Sequence, residues 1–169
     1  MVSAMLPAQI HTQHRLPSMT IAARLAELGI TLPTPPAPVA AYIPFVREGN
    51  MLFVSGQIPV KDGKIHYVGK LGDTVTTATG QEAARLCAIN LLAQAQAAVG
   101  LDHVTRVVKL TGFVACTPNF IEIPQVMNAA SELMQAVFGD AGRHTRSSVG
   151  APSLPLDASV EVEAIFAVR

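Results

Sequence analysis

The sequence predicts an α+β layer: a mixed β-sheet with two main helices packed on one face. Three observations carry this. Residues 159–169 alternate strictly, with Val160, Val162, Ala164, Phe166 and Val168 on one side and Ser159, Glu161, Glu163 and Ile165 on the other. Residues 104–116 (VTRVVKLTGFVAC) form a long run rich in β-branched residues. Between these and the N-terminal strands stand two stretches with apolar residues at helical spacing, so the order reads helix, ββ, α, β, α, ββ.

Residues 1–18 mix Gln, His, Pro and Ser without periodicity and read as a loose tail, with Met19 as an alternative start. His11 and His14 there read as solvated, since a tail without other donors makes a poor metal site. A short helix follows, with Ser18 or Thr20 as cap, Ile21, Leu25 and Leu28 on one face and Gly29 as stop. Four prolines within residues 32–38 enforce an extended connector. The chain therefore divides into a lead-in, 1–38, and a main domain, 39–169.

Within the main domain, residues 42–57 read as a hairpin turning at Gly49-Asn50. Residues 61–72 hold three glycines and read as a loop with a short strand at most. Residues 79–99 form the strongest helix: Thr79-x-x-Glu82 matches a capping box, Ala84, Cys87, Leu91, Ala95 and Ala98 share a stripe, and Gly100 stops it. In 104–116, Val108, Leu110, Val114 and Cys116 point one way, and Lys109, Thr111 and Phe113 the other. Thr117-Pro118 opens the next helical stretch, which Pro124 makes regular and Gly139 ends, with Val126, Ala130, Leu133 and Val137 buried. Residues 146–151 and 159–169 supply the last strands. The helices cover one sheet face. The other carries Phe113, Ile165 and Ala167 with nothing in the chain to cover them.

Half of the 169 residues are hydrophobic and 14% are charged, against roughly 25% charged in an average soluble domain. Part of that apolar surface is expected in a subunit interface. Net charge is zero and the pI about 7.0, which speaks against electrostatic capture of nucleic acid. No apolar run is long enough to span a membrane and no secretory leader is evident. Cys87 and Cys116 are too few and too badly spaced for a disulfide framework or zinc knuckle. A reduced cytoplasmic protein is the expectation.

The general catalytic signatures are absent: no G-x-S-x-G, G-x-G-x-x-G, Walker A or H-E-x-x-H. Ser55 has no His/Asp partnership. Glu161 and Glu163 leave one face of a strand, and burial in an interface would require a partner for one of them. Arg146 is the candidate partner, as a structural ion pair or as an anchor for a ligand carboxylate.

Tyr42 with residues 49–59 (GNMLFVSGQIP), residues 145–149 (TRSSV), Leu154-Pro155 and residues 160–165 (VEVEAI) together resemble the reactive intermediate deaminase family, also called Rid or YjgF. The likeness covers roughly residues 40–169. It implies a chorismate-mutase-like fold, a homotrimer with pockets between subunits, and hydrolysis of 2-aminoacrylate-type enamines and 2-imino acids to 2-keto acids and ammonia. By the resemblance Arg146 binds the substrate carboxylate and Glu161 positions or activates water. Tyr42 walls the pocket, Ser55 and Gly56 line it, Ser148 stands where relatives often have Cys, and Asn128 matches a pocket Asn less closely. No metal or organic cofactor is implied, because a protonated imine is already electrophilic. The lead-in, the 61–72 loop with His66, Tyr67 and Lys70, the extended 119–126 segment and His144 depart from the family pattern. They point to a divergent branch with its own substrate preference. His144 reads as a surface or packing residue. Two alternatives remain: a keto-acid or amino-acid binding protein without turnover, and, more weakly, an endoribonuclease.

Overall fold

The computed structural model describes residues 19–35 and 42–169. The expectations for the tail, for Ser18 as a cap and for the last part of the proline connector lie outside these residues. Helix α1 (Ile21–Glu27) starts at Thr20, whose hydroxyl accepts the Ala23 N–H at 3.2 Å. Its Leu25 is buried and belongs to the main core, so α1 is docked on the body.

Strands β1 (Phe45–Glu48) and β2 (Met51–Gln57) form the expected hairpin, with Gly49 at positive φ in the turn. The 61–72 loop contains a small hairpin of its own, β3 (Val60–Lys61) and β4 (Lys64–Ile65). Its Asp62-Gly63 turn has positive φ at both residues, the twist that two-residue hairpins favour.

Helix α2 (Thr77–Val99) begins earlier than the capping-box pattern suggested. Thr76, not Thr79, is the cap: its Oγ1 accepts the Thr79 N–H at 3.2 Å. Both positions are threonines, and the upstream one satisfies the free N–H groups while adding helical residues. Helix α3 (Ile123–Phe138) begins next to Pro124, as expected for its regular part, and Thr117-Pro118 opens no helical turn before it. Residues 117–122 are instead held as a turn by backbone bonds such as Phe120 N–H to Thr117 O.

Strand β5 (Val104–Ala115) runs through the sheet with a register shift between Val107 and Lys109. That bulge turns Val107 into the core in place of Val108, which alternation alone had assigned there. Strands β6 (Thr145–Ala151) and β7 (Val160–Val168) complete a five-stranded sheet in the order β1-β2-β7-β5-β6. The parallel β5–α3–β6 unit makes β6 an edge, and β7 lies on the other side of β5. Thus β6 and β7, consecutive in the chain, are not neighbours.

Helices α2 and α3 cover one face. Phe166, Leu110, Leu52 and Val162 from the sheet meet Cys87 and Leu91 of α2 and Met127 and Leu133 of α3, all fully or almost fully buried. On the opposite face Val46, Phe53 and Val149 remain exposed. No helix among the described residues is long and apolar enough to cross a membrane.

Candidate active site

Paired residues on neighbouring strands present their side chains to the same face. Leu110 pairs with both Arg146 and Ala164, and Gly112 with both Ser148 and Val162, so Arg146 and Ser148 lie on the helix-covered face. Phe113 pairs with Val149 and with Glu161, so Glu161 lies on the opposite face. The sheet therefore separates Arg146 from Glu161 within one chain, and the internal ion pair that the sequence left open does not form.

Arg146 reaches α3 from the sheet edge. Its Nη1 donates to Asn128 Oδ1 at 3.1 Å and to Ser131 Oγ at 3.0 Å, and its Nη2 donates to the Pro124 carbonyl at 3.3 Å. Every one of these acceptors is neutral. Among the described residues the ion pair found is Arg143 with Asp140, and no carboxylate reaches Arg146. A guanidinium has five N–H donors, so Nε–H and one Nη2–H have no acceptor among the described residues. Arg146 lines a cleft of about 350 Å³ together with Asn128, Ser131, Glu132, Gln135, Arg143 and His144. A guanidinium fork with free donors matches the geometry of a planar carboxylate.

Sequence reasoning missed Ser131 and did not place His144 in this cleft. Ser131 carries no motif, and its role arises from one turn of separation from Asn128 on α3. Of the two readings of His144, surface or packing, the structure fits the second: it is half-buried, with Nε2 at 3.0 Å from Ser131 Oγ and Nδ1 at 2.7 Å from the Gly142 carbonyl. Burial holds its pKa below the ordinary value, opposed by the Gly142 bond and reinforced by Arg146. Ser148 Oγ is buried without a partner among the described residues.

The other predicted residues gather on the opposite face. The Glu161 carboxyl packs against Gly56: a Cβ there would overlap its Oε1 and stand 2.8 Å from Cδ. Gly56 thus makes room for Glu161. Burial, then the neighbouring Glu163, raises the Glu161 pKa above the ordinary carboxylate range. Ser55 Oγ donates to the Ile43 carbonyl at 3.0 Å, tying β2 to the segment before β1. Tyr42 lies at the start of that segment and is 63% exposed.

The chain thus carries a guanidinium at the β6–α3 edge and a carboxyl on the open sheet face, within an α+β layer. The profile of the family described as "YjgF/chorismate mutase-like, putative endoribonuclease" matches residues 22–168, and the chain belongs to that family. It is similar to protein TCP17 of Trypanosoma cruzi, 48% identical over 147 residues, covering 86% of this chain and 92% of that one. It also resembles the solved structure of Atu1372 from Agrobacterium tumefaciens, at 49% identity and a TM-score of 0.83, covering 88% and 92% of the two chains. A further relative is the Escherichia coli protein named "Putative reactive intermediate deaminase TdcF", 35% identical over 134 residues, 79% of this chain and 91% of that one. Its structure, solved with bound serine, superposes at a TM-score of 0.58 with 29% identity, covering 80% and 94%.

Proposed function

We propose that this protein hydrolyses reactive 2-imino acids and their enamine tautomers to 2-keto acids and ammonia, in a pocket completed between subunits of a homotrimer. The observation that carries the reading is Arg146: a guanidinium that lines an open cleft, held by three neutral acceptors and with two donors unused among the described residues. A carboxylate clamped there has its neighbouring C=N carbon placed for attack. Glu161 is the second element. Its raised pKa lies in the direction a general base or proton carrier needs, and Gly56 leaves space beside it. Because the sheet separates Arg146 from Glu161, the reading requires a neighbouring subunit to bring its own Glu161 face to the Arg146 cleft. The exposed apolar side chains Phe53, Val46 and Val149 on that face suit such an interface. Tyr42, Ser55 and Gly56 would then arrive with Glu161, and Asn128 and Ser148 with Arg146.

The name of TdcF and the serine bound in its structure support the small amino-acid-like substrate class. The test is keto-acid and ammonia release from 2-imino acids generated in situ by an amino-acid oxidase. Wild type should accelerate release and Arg146→Ala should not. Binding of small carboxylates by a folded protein that accelerates nothing would favour the non-catalytic reading. Glu161→Gln separates the two, since a catalytic role predicts lost rate with retained binding.

A further inference from the structure

Arg146 stands at one end of a hydrogen-bond chain whose polarity is determined at the other end. The Gly142 carbonyl can only accept, so the 2.7 Å contact places a proton on His144 Nδ1. In the neutral imidazole Nε2 is then bare, and the Ser131 hydroxyl donates to it across 3.0 Å. With its hydrogen so directed, Ser131 Oγ turns a lone pair to Arg146 Nη1 at 3.0 Å. All three bonds run in one sense, and each group has its donor and acceptor satisfied. A doubly protonated His144 would reverse the middle bond, leave Ser131 facing two donors, and put an imidazolium beside a guanidinium.

We propose that His144 is a positioning residue for the Arg146 anchor: as the neutral Nδ1–H tautomer it orients the Ser131 hydroxyl, and Ser131 in turn fixes the guanidinium fork. This rests on Arg146 being the carboxylate anchor. The surrounding charges favour the neutral ring. Arg146 projects from β6 and Glu132 from α3. Arg143, before β6, is engaged with Asp140 at 3.5 Å and takes the Arg106 Nη1 of β5 on its carbonyl at 3.2 Å. Lys109 of β5 pairs in register with Thr145 and Ile165, so it leaves the opposite face of the sheet from Arg146. Burial first, and then the Arg146 guanidinium beside the ring, favour the neutral imidazole.

The experiment uses the full chain with pyruvate, the simplest 2-keto acid, as probe, and calorimetric Kd values between about pH 5 and 8. His144→Phe and Ser131→Ala each break the chain and should weaken binding about tenfold at neutral pH. His144→Gln, whose amide oxygen can accept the Ser131 hydroxyl without titrating, should bind within about twofold of wild type and lose the pH dependence. Wild-type binding should weaken as acid protonates His144. Nitrogen NMR of the wild-type imidazole should show the proton on Nδ1, a readout independent of binding and of whether His144→Phe folds. Wild-type affinity in both His144→Phe and Ser131→Ala, with binding lost in Arg146→Ala, would overturn the positioning role and leave the anchor standing. Unchanged binding in Arg146→Ala would remove the anchor and the proposal with it. Tighter binding in acid would mean that the imidazolium acts through its charge, and an Nε2–H tautomer would reverse the chain; either result overturns the proposal.

Discussion

Replacing Gly56 by alanine should disable the proposed reaction while sparing the fold. Gly56 has no positive φ, so its backbone accepts a side chain without torsional strain. The whole effect is steric. The added Cβ would overlap Glu161 Oε1 and stand 2.8 Å from Cδ and 3.0 Å from Cγ. All three atoms are the far end of a flexible side chain on a partly open sheet face. That side chain can swing aside, so the folding cost should lie at the low end of overpacking, about 1 kcal/mol. The displaced carboxylate no longer occupies its place. A general base contributes roughly 10²–10⁴ in rate, so kcat for keto-acid release should fall at least about a hundredfold. KM should change little, because in the proposed pocket the substrate carboxylate rests on Arg146, whose bonds to Asn128, Ser131 and Pro124 the substitution does not touch. Steady-state kinetics on oxidase-generated imino acids and urea unfolding of the same preparation measure both halves. An unchanged kcat in a folded G56A protein would refute the placement of Glu161 in the reaction. A loss of stability above about 3 kcal/mol would refute the claim that Glu161 yields.

Gly142→Ala should be far more damaging, at about 3 kcal/mol or more, because its Cβ would overlap the Met134 carbonyl and lie 2.8 Å from Gln135 Cα, backbone that cannot move aside; equilibrium unfolding measures it. An acid whose pKa is raised by folding contributes stability below its unfolded value and loses it as pH rises through the folded one. Glu161 is such a group, so wild-type melting temperature should decline above about pH 4.5 where Glu161→Gln does not. Thiol titration of the native protein should modify Cys116, which is partly exposed, and leave Cys87 untouched until denaturant is added. Cys87 is fully buried, and burial, with Glu161 adding to it, raises its pKa well above that of a free thiol. Thr76→Ala should cost about 1 kcal/mol as the cap of α2 is lost, whereas the same change at Thr79 should cost less; thermal melts separate the two.

Alternation and helical spacing were enough to reveal the architecture, since a half-buried strand or an amphipathic helix must repeat its apolar residues at its own period. Val160 to Val168 and the buried stripe of α3 were readable for that reason. Periodicity failed where the backbone leaves its ideal form. The bulge in β5 exchanged Val108 for Val107, and the turn at residues 117–122 looked helical from Thr117-Pro118 alone. The cap of α2 was misplaced because Thr76 and Thr79 are chemically the same and only the folded backbone chooses between them.

Of the candidate site, the sequence by itself determined the residue types: local pattern marked two alternating glutamates and an arginine as their candidate partner, and the family resemblance added Gly56 as a lining residue, whose role in making room for Glu161 the structure supplied. What only the tertiary structure decided is their relation. Strand order put β5 between β6 and β7 and sent Arg146 and Glu161 to opposite faces, which no spacing along the chain encodes. It also brought Ser131 and His144 to Arg146. Those contacts join α3 to the strand that follows it, and they exist because the parallel β5–α3–β6 crossover lays the helix across that edge of the sheet. Local sequence dictates periodicity and turn chemistry, but long-range pairing dictates which side chains meet.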